Sequence, residues 1–287
     1  MLGSVLVADL QGNHDVTGVD TQDFDITCQA GVEKVCHELR PEFVFHLAAY
    51  TDVDGCEKDS ARAHEVNSLG TRNVAEACAE IGATLLYVST DYVFSGRKKG
   101  PYREDDCPDP QSAYGLSKLR GEQYVQAGVA KHFIVRTSWL YGPYGKNFVA
   151  TILKLAKERG ELRVVSDQRG SPTYTRHLAG MLVRFLGTSS YGVFHATGSG
   201  DCSWFEFAQT IVRAAGWPQV RVKPISSGEL ARPARRPENS VLENRRLTEC
   251  NLGALPRWEQ GLDEYLRETE EPRDFATPGI RYAERFV

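Results

Sequence analysis

Tyr114 and Lys118 stand four positions apart in the string YGLSK. On a helix that spacing places a phenol and an ammonium on one face. A cation beside a phenol favours the phenolate and draws its pKa down from about 10. A tyrosine tuned in this way hands a proton to a carbonyl oxygen as hydride reaches the carbon. The spacing alone also describes an ordinary surface pair. A second feature raises its value: Ser89 and Thr90 close the apolar run ATLLYVST, residues 83–90. Open α/β sheets hold ligands at the carboxyl ends of their strands, so a hydroxyl there can donate to the same carbonyl oxygen. Capping the strand end is the plainer role for such hydroxyls.

The elements that must position these groups follow from hydrophobic periodicity. His14–Asp20, Phe43–Ala49, Ala83–Thr90 and His132–Trp139 read as buried strands, rich in Val, Ile, Phe and Leu. Ser60–Ile81, Tyr114–Gln126, Phe148–Arg159 and Ser203–Ala215 read as helices. Alternation of this kind predicts a doubly wound parallel sheet, a Rossmann-like α/β fold. Residues 1–141 are expected to form the dinucleotide-binding domain. Residues 142–269 form mainly a smaller substrate lobe, with segments returning to the first domain, and 270–287 a tail. Gly228–Glu243 reads as an Arg/Pro-rich loop.

The opening is unusual for such a fold. Ser4–Leu10 already reads as helix, so Gly3 stands as the last glycine of a G-x-x-G-x-x-G turn. The strand and two glycines that would precede it are absent from the sequence, and this form is expected to bind dinucleotide weakly. Asp20, at the end of the second expected strand, can accept from the adenosine ribose 2′-hydroxyl and would repel a 2′-phosphate. That favours NADH over NADPH.

The totals exclude several classes. The chain has 287 residues, 41% of them hydrophobic, and a net charge of −4 without a basic stripe, which argues against nucleic acid. Arg232, Arg235 and Arg236 form the densest basic patch, enough for one phosphate group, with Arg235 the candidate contact. No apolar run approaches the ~20 residues that span a bilayer, and no signal peptide is read at the start, so a cytoplasmic protein is expected. Seven scattered cysteines without C-x-x-C suggest reduced thiols rather than disulfides or a zinc site. His46 and His195 read as core histidines. Asp52, Asp54 and Glu57 read as a solvated loop and not a metal site, and Glu268, Glu270 and Glu271 as a solvated face.

Seven strings in order, HLAAYTDVDGCE (46–57), VNSLGTRNVA (66–75), STDYVFSG (89–96), YGLSK (114–118), RTSWLYG (136–142), KNFV (146–149) and DQRGSPT (167–173), resemble the dTDP-4-dehydrorhamnose reductase family of extended short-chain dehydrogenases. The resemblance runs from Met1 to Leu266. It implies a catalytic set of Tyr114 as proton donor, Lys118 as its partner on the nicotinamide ribose, and Thr90 as the third hydroxyl. It places Ala48 and Ala49 along the dinucleotide, Asp25 and Ile26 at the adenine edge, and Asn67 as a steadying residue. Asp91, Tyr92 and Trp139 fall where the sugar should lie, the indole offering an apolar face. The implied reaction is NADH- or NADPH-dependent reduction of the 4-keto group of a nucleotide-linked 6-deoxy-hexose. A homodimer is also implied; the divalent metal some members carry at that interface has no identifiable ligands in this sequence. Two alternatives stand beside this reading: a non-catalytic regulatory or binding subunit on the same fold, and another nucleotide-sugar epimerase or reductase.

Overall fold

The computed structural model describes residues 1–270. The expected tail lies outside them except for Glu270. In chain order the first half holds α1 (Leu2–Leu10), α2 (Gln29–Leu39), β1 (Phe43–His46), α3 (Val53–Lys58), α4 (Ser60–His64), α5 (Thr71–Ile81), β2 (Thr84–Thr90), α6 (Ala113–Gly128) and β3 (His132–Thr137). The second half holds β4 (Leu140–Tyr141), α7 (Phe148–Glu158), β5 (Glu161–Val165), β6 (Arg169–Gly170), β7 (Thr173–Tyr174), α8 (Thr175–Arg184), β8 (Gly192–His195), β9 (Cys202–Ser203), α9 (Trp204–Ala214), β10 (Arg221–Ile225), α10 (Arg245–Glu249) and α11 (Trp258–Glu270).

The main sheet is four-stranded, in the order β1-β2-β3-β8, and parallel throughout. Alternation along each strand sends side chains to two apolar layers. Leu86, Phe133, Val135 and Phe194 pack with Leu2, Leu6, Leu178 and Leu182 of α1 and α8. Leu85, Tyr87 and Ile134 pack on the other face with Val32, Val74, Ala77 and Val125 of α2, α5 and α6. A strand covered on both faces needs no polar positions, which is why these runs look continuously hydrophobic. A separate apolar cluster joins Val149 and Ile152 of α7, Phe207 and Ile211 of α9, and Leu262 and Tyr265 of α11.

The structure departs from the expected elements in two places. His14–Asp20 is not a strand: it is irregular and mostly exposed. Among the described residues β1 pairs only with β2, so no ladder runs beside this segment, and Asp15, Gly18 and Asp20 give it little to bury. The single helix expected over Ser60–Ile81 is interrupted by a π-helical turn at Glu65–Gly70. Gly70 lies within that turn, and a Cβ there would come within 2.8 Å of the Ile26 side chain. The wider turn is therefore packed directly against the loop before α2.

One polar contact lies inside this apolar frame. Glu122 of α6 accepts from Arg136 of β3 through both oxygens, at 2.9 and 2.7 Å, and from Ser89 Oγ of β2 at 2.6 Å. The Arg136 and Glu122 side chains are 4% and 2% exposed. Removing one partner would strand a buried charge, so Glu122→Ala should cost about 3–5 kcal/mol. The exposed Lys34–Glu38 pair offers the contrast, with side chains 72% and 61% exposed. Its loss should cost under about 1 kcal/mol. Urea unfolding of the two variants measures both, and comparable midpoints would refute the assigned weight.

Candidate active site

The site forms where α6 meets the carboxyl end of β2. Ser112 caps α6 by accepting from Gly115 N at 3.1 Å, and Glu57 accepts from Ala113 N at 2.9 Å. Gly115 lets the first turn press on the chain after β2, since a Cβ there would lie 2.2 Å from Tyr92 O. Tyr114 and Lys118 thus lie one helical turn apart above β2. Glu57 is exposed, as its string suggests, and also anchors the amino end of α6.

Thr90 is the hydroxyl at that strand end. It donates to Asp91 Oδ1 at 3.0 Å and accepts from Tyr92 N at 3.2 Å. Its hydroxyl is near enough to the Tyr114 phenol to act on the phenol's titration. Tyr92 packs edge-on against Tyr114, ring centroids 5.7 Å apart. The structure thus brings Thr90, Asp91, Tyr92 and Tyr114 together.

Burial governs the protonation of this cluster. It pushes the Tyr114 phenol well above its ordinary value, and the Thr90 hydroxyl offsets only part of that. Lys118 reaches the strand beneath it. Its Nζ donates to Val88 O at 2.8 Å and lies 4.1 Å from the Tyr87 ring centroid. Desolvation lowers Lys118 to about 7, against partial support from Glu122. The phenol is therefore protonated at neutral pH, the form a proton donor needs. His46 is a core histidine: burial and then the Lys118 charge lower it to about 3, and its Nε2 pairs with Thr71 Oγ1 at 3.0 Å. His195 is likewise lowered to about 3, by burial and then by Arg136.

Asn67 owes its placement to the π-helical turn. Its side chain accepts from Tyr50 N at 2.7 Å and donates to Tyr50 O and Ser117 Oγ, both at 3.0 Å. It thereby ties the loop after β1 to α6.

Several features fit a dinucleotide. Lys118 has three N–H donors and one backbone acceptor so far named. Thr137 Oγ1, on the register partner of Thr90, is buried without a hydrogen-bond partner among the described residues. No side chain caps α1, so its first-turn N–H groups are open to an anion. Gly3 sits in that turn close to Leu47, beyond β1, and Ala48 and Ala49 follow with small side chains. Asp25 accepts from Thr27 N and Oγ1, both at 2.9 Å, and Ile26 O accepts from Asn73 Nδ2 at 2.9 Å. Asp20 is exposed and caps a turn, accepting from Gln22 N at 2.7 Å.

Trp139 lies between β3 and β4, two residues after the register partner of Thr90. Its φ of 48° is left-handed, a region an aromatic residue rarely occupies. Trp204 stacks on it at 3.4 Å and 6° between planes. A Cβ on Gly170 would lie 2.4 Å from the same indole. The indole expected to face a sugar is thus stacked on a second indole, a contact the sequence reading did not include. Arg235 is exposed, whereas Arg236 pairs with Asp54 and its charge acts on the Tyr92 phenol. Asp54 was another omission: it reads as solvated by its local string, and its partners lie far along the chain. Glu268, also expected to be solvated, is buried and pairs with Arg176 and Tyr174. Among the described residues no group of His, Cys, Asp and Glu could hold a metal ion, and no helix is long and apolar enough to cross a membrane.

Residues 1–271 match the family described as the RmlD substrate binding domain. The chain is 40% identical over 265 residues to the spore coat polysaccharide biosynthesis protein SpsK of Bacillus subtilis, covering 92% of each chain. It is 41% identical over 255 residues to dTDP-4-dehydrorhamnose reductase of Streptomyces griseus, covering 87% of this chain and 84% of that one. The crystal structure of dTDP-4-dehydrorhamnose reductase from Bacillus anthracis in complex with NADP superposes with a TM-score of 0.91 at 44% identity. That match covers 93% of this chain and 95% of the other.

Asp91 supplies a pH test of the site. Burial raises its carboxyl from 3.8 to about 6, with the Thr90 hydrogen bond among the contacts working against the rise. A raised acid contributes stability below the unfolded value that is lost as pH climbs through 6. Asp91→Asn removes that loss. Its stability relative to wild type should therefore grow between pH 4 and pH 8, by up to about 3 kcal/mol. Thermal unfolding of both proteins at the two pH values measures it, and a constant difference would refute it.

Proposed function

The chain belongs to the dTDP-4-dehydrorhamnose reductase family, and on that premise we propose that it reduces the 4-keto group of a nucleotide-linked 6-deoxy-hexose. The substrate is dTDP-4-dehydrorhamnose or a close analogue, and the product is dTDP-L-rhamnose or its counterpart. The observation that carries the reading is Tyr114 of α6 packed against the Thr90–Tyr92 turn at the end of β2, with Lys118 one turn further along the helix. The bound NADH or NADPH supplies hydride to the carbonyl carbon.

The chain's own part is to hold the ligands and move a proton. Gly3, Asp25, Ile26, Ala48, Ala49 and Lys118 hold the dinucleotide, with Tyr114 at its reactive end. Asp91, Tyr92 and Trp139 hold the sugar, and exposed Arg235 is free to meet a phosphate group. Tyr114 delivers its phenolic proton to the carbonyl oxygen as that oxygen gains charge. Thr90, its one hydroxyl proton turned from Asp91 Oδ1 to the substrate, donates to the same oxygen and stabilises the developing alkoxide. Protonated Lys118 places a positive charge behind the phenol and so favours the phenolate that remains.

Tyr114→Phe keeps the ring and removes the proton, so turnover should fall at least ~100-fold, the scale of a lost general acid. Steady-state assay with dTDP-4-dehydrorhamnose checks this, and near-normal turnover would exclude Tyr114 from the mechanism.

Asp20 is the side chain that argues for NADH, because a 2′-phosphate would meet its carboxylate. The kcat/KM for NADH should exceed that for NADPH, and Asp20→Ala should narrow the gap. A clear preference of the wild type for NADPH would overturn this assignment.

A further inference from the structure

We propose that Asp54 is a positioning residue for the nucleotide-sugar, acting as a latch that holds the loop of residues 231–236 against Tyr92. The proposal rests on the reductase reading for its substrate, though not for its geometry.

The loop has two anchored ends. Upstream, Asp167 accepts from Ser227 N at 2.9 Å and Glu229 pairs with Arg163 at 2.7 Å. Downstream, the chain is held by backbone hydrogen bonds: Asn239 N to Gly96 O at 3.1 Å, Arg169 N to Glu238 O at 2.8 Å, and Tyr102 N to Val241 O at 2.8 Å. Between these ends, the hydrogen bonds that leave residues 231–236 converge on Asp54. Its carboxylate accepts from Arg236 Nη1 and Nη2 at 3.1 and 2.9 Å, from Ala234 N at 3.2 Å and from Arg232 Nη1 at 3.4 Å. A bidentate guanidinium–carboxylate pair fixes direction as well as distance.

Arg236 carries this anchorage to the site. The same guanidinium lies close enough to Tyr92 for its charge to act on the phenol, and Tyr92 packs on Tyr114. The Asp54 and Arg236 side chains are only 24% and 17% exposed, so the pair is screened less than a surface bridge. Arg235 and Arg232 stay largely solvent-facing, at the rim that a diphosphate would approach. Without Asp54 the loop keeps its ends and loses its middle, and Arg236 and Tyr92 lose their fixed direction. Preorganisation of this kind shows chiefly in substrate binding.

Asp54→Asn should raise the KM for dTDP-4-dehydrorhamnose at least about tenfold, with kcat within about threefold and the KM for NADH unchanged. Asp54→Glu should recover part of the loss. Arg236→Gln should reproduce it, and the double variant should be no worse than either single one, as for two halves of one contact. A second readout needs no catalysis. Arg232 and Arg236 precede Pro233 and Pro237, which block trypsin, so the Arg235–Arg236 bond is the cleavable one in the loop. Its cleavage in the folded protein, followed by mass spectrometry, should accelerate in Asp54→Asn and in Arg236→Gln. Faster cleavage in the two variants, with a wild type that reduces no keto-sugar, would keep the latch and sink the reductase reading. Unchanged KM and unchanged cleavage would overturn the latch. A lowered KM would overturn it too, and would make Asp54 a competitor of the substrate phosphates.

Discussion

The buried contact of Glu122 with Arg136 and Ser89 is the constraint on which the geometry of the candidate site rests. It joins α6 to β3 and β2 in one hydrogen-bonded unit. Helix-to-sheet packing through apolar side chains tolerates sliding, because dispersion contacts are individually weak and nearly directionless. A two-point guanidinium–carboxylate contact tolerates far less. Lys118 stands one turn before Glu122 on the same helix, and Tyr114 one turn before that. The register of both against Thr90 is thus inherited from a contact that touches no ligand. Ser112 and Glu57 at the amino end, and Gly115 against Tyr92 O, complete the docking.

Within that frame, burial does most of the electrostatic work. His46 is kept neutral, Asp91 is brought to about 6 and Lys118 to about 7, in each case with desolvation as the first cause. The phenol is held protonated by the same cause. Lys118 acts on His46 and Asp91 on Tyr114, each across buried surroundings where a charge is felt more strongly than it would be in water.

The legible parts of this fold were those set by local pattern. Thr84–Thr90 and His132–Thr137 are buried on both faces and announce themselves as unbroken apolar runs. Tyr114 and Lys118 are legible because helical spacing and a strand-end hydroxyl are both written in short strings. Contacts across long chain separations were not legible. Asp54 meets Arg236 182 positions away, and Glu268 meets Arg176 92 positions away; each looks solvated beside its own neighbours. His14–Asp20 failed for a related reason. A strand is completed by the ladder beside it, and composition does not report whether a neighbour is there. The π-helical turn at Glu65–Gly70 escaped as well, because one wide turn barely disturbs the apolar period of a long helix.

The stacked indoles of Trp139 and Trp204 have an optical consequence. Two identical chromophores 3.4 Å apart share their excited states. Their transitions should couple into a paired positive and negative band in ultraviolet circular dichroism, with emission altered relative to an isolated indole. Trp217 and Trp258 do not take part in that stack. Replacing either Trp139 or Trp204 by phenylalanine should abolish the couplet whole, because it belongs to the pair and to neither ring. The second half of the chain thus carries its own reporter, one that responds to any ligand prising the two rings apart.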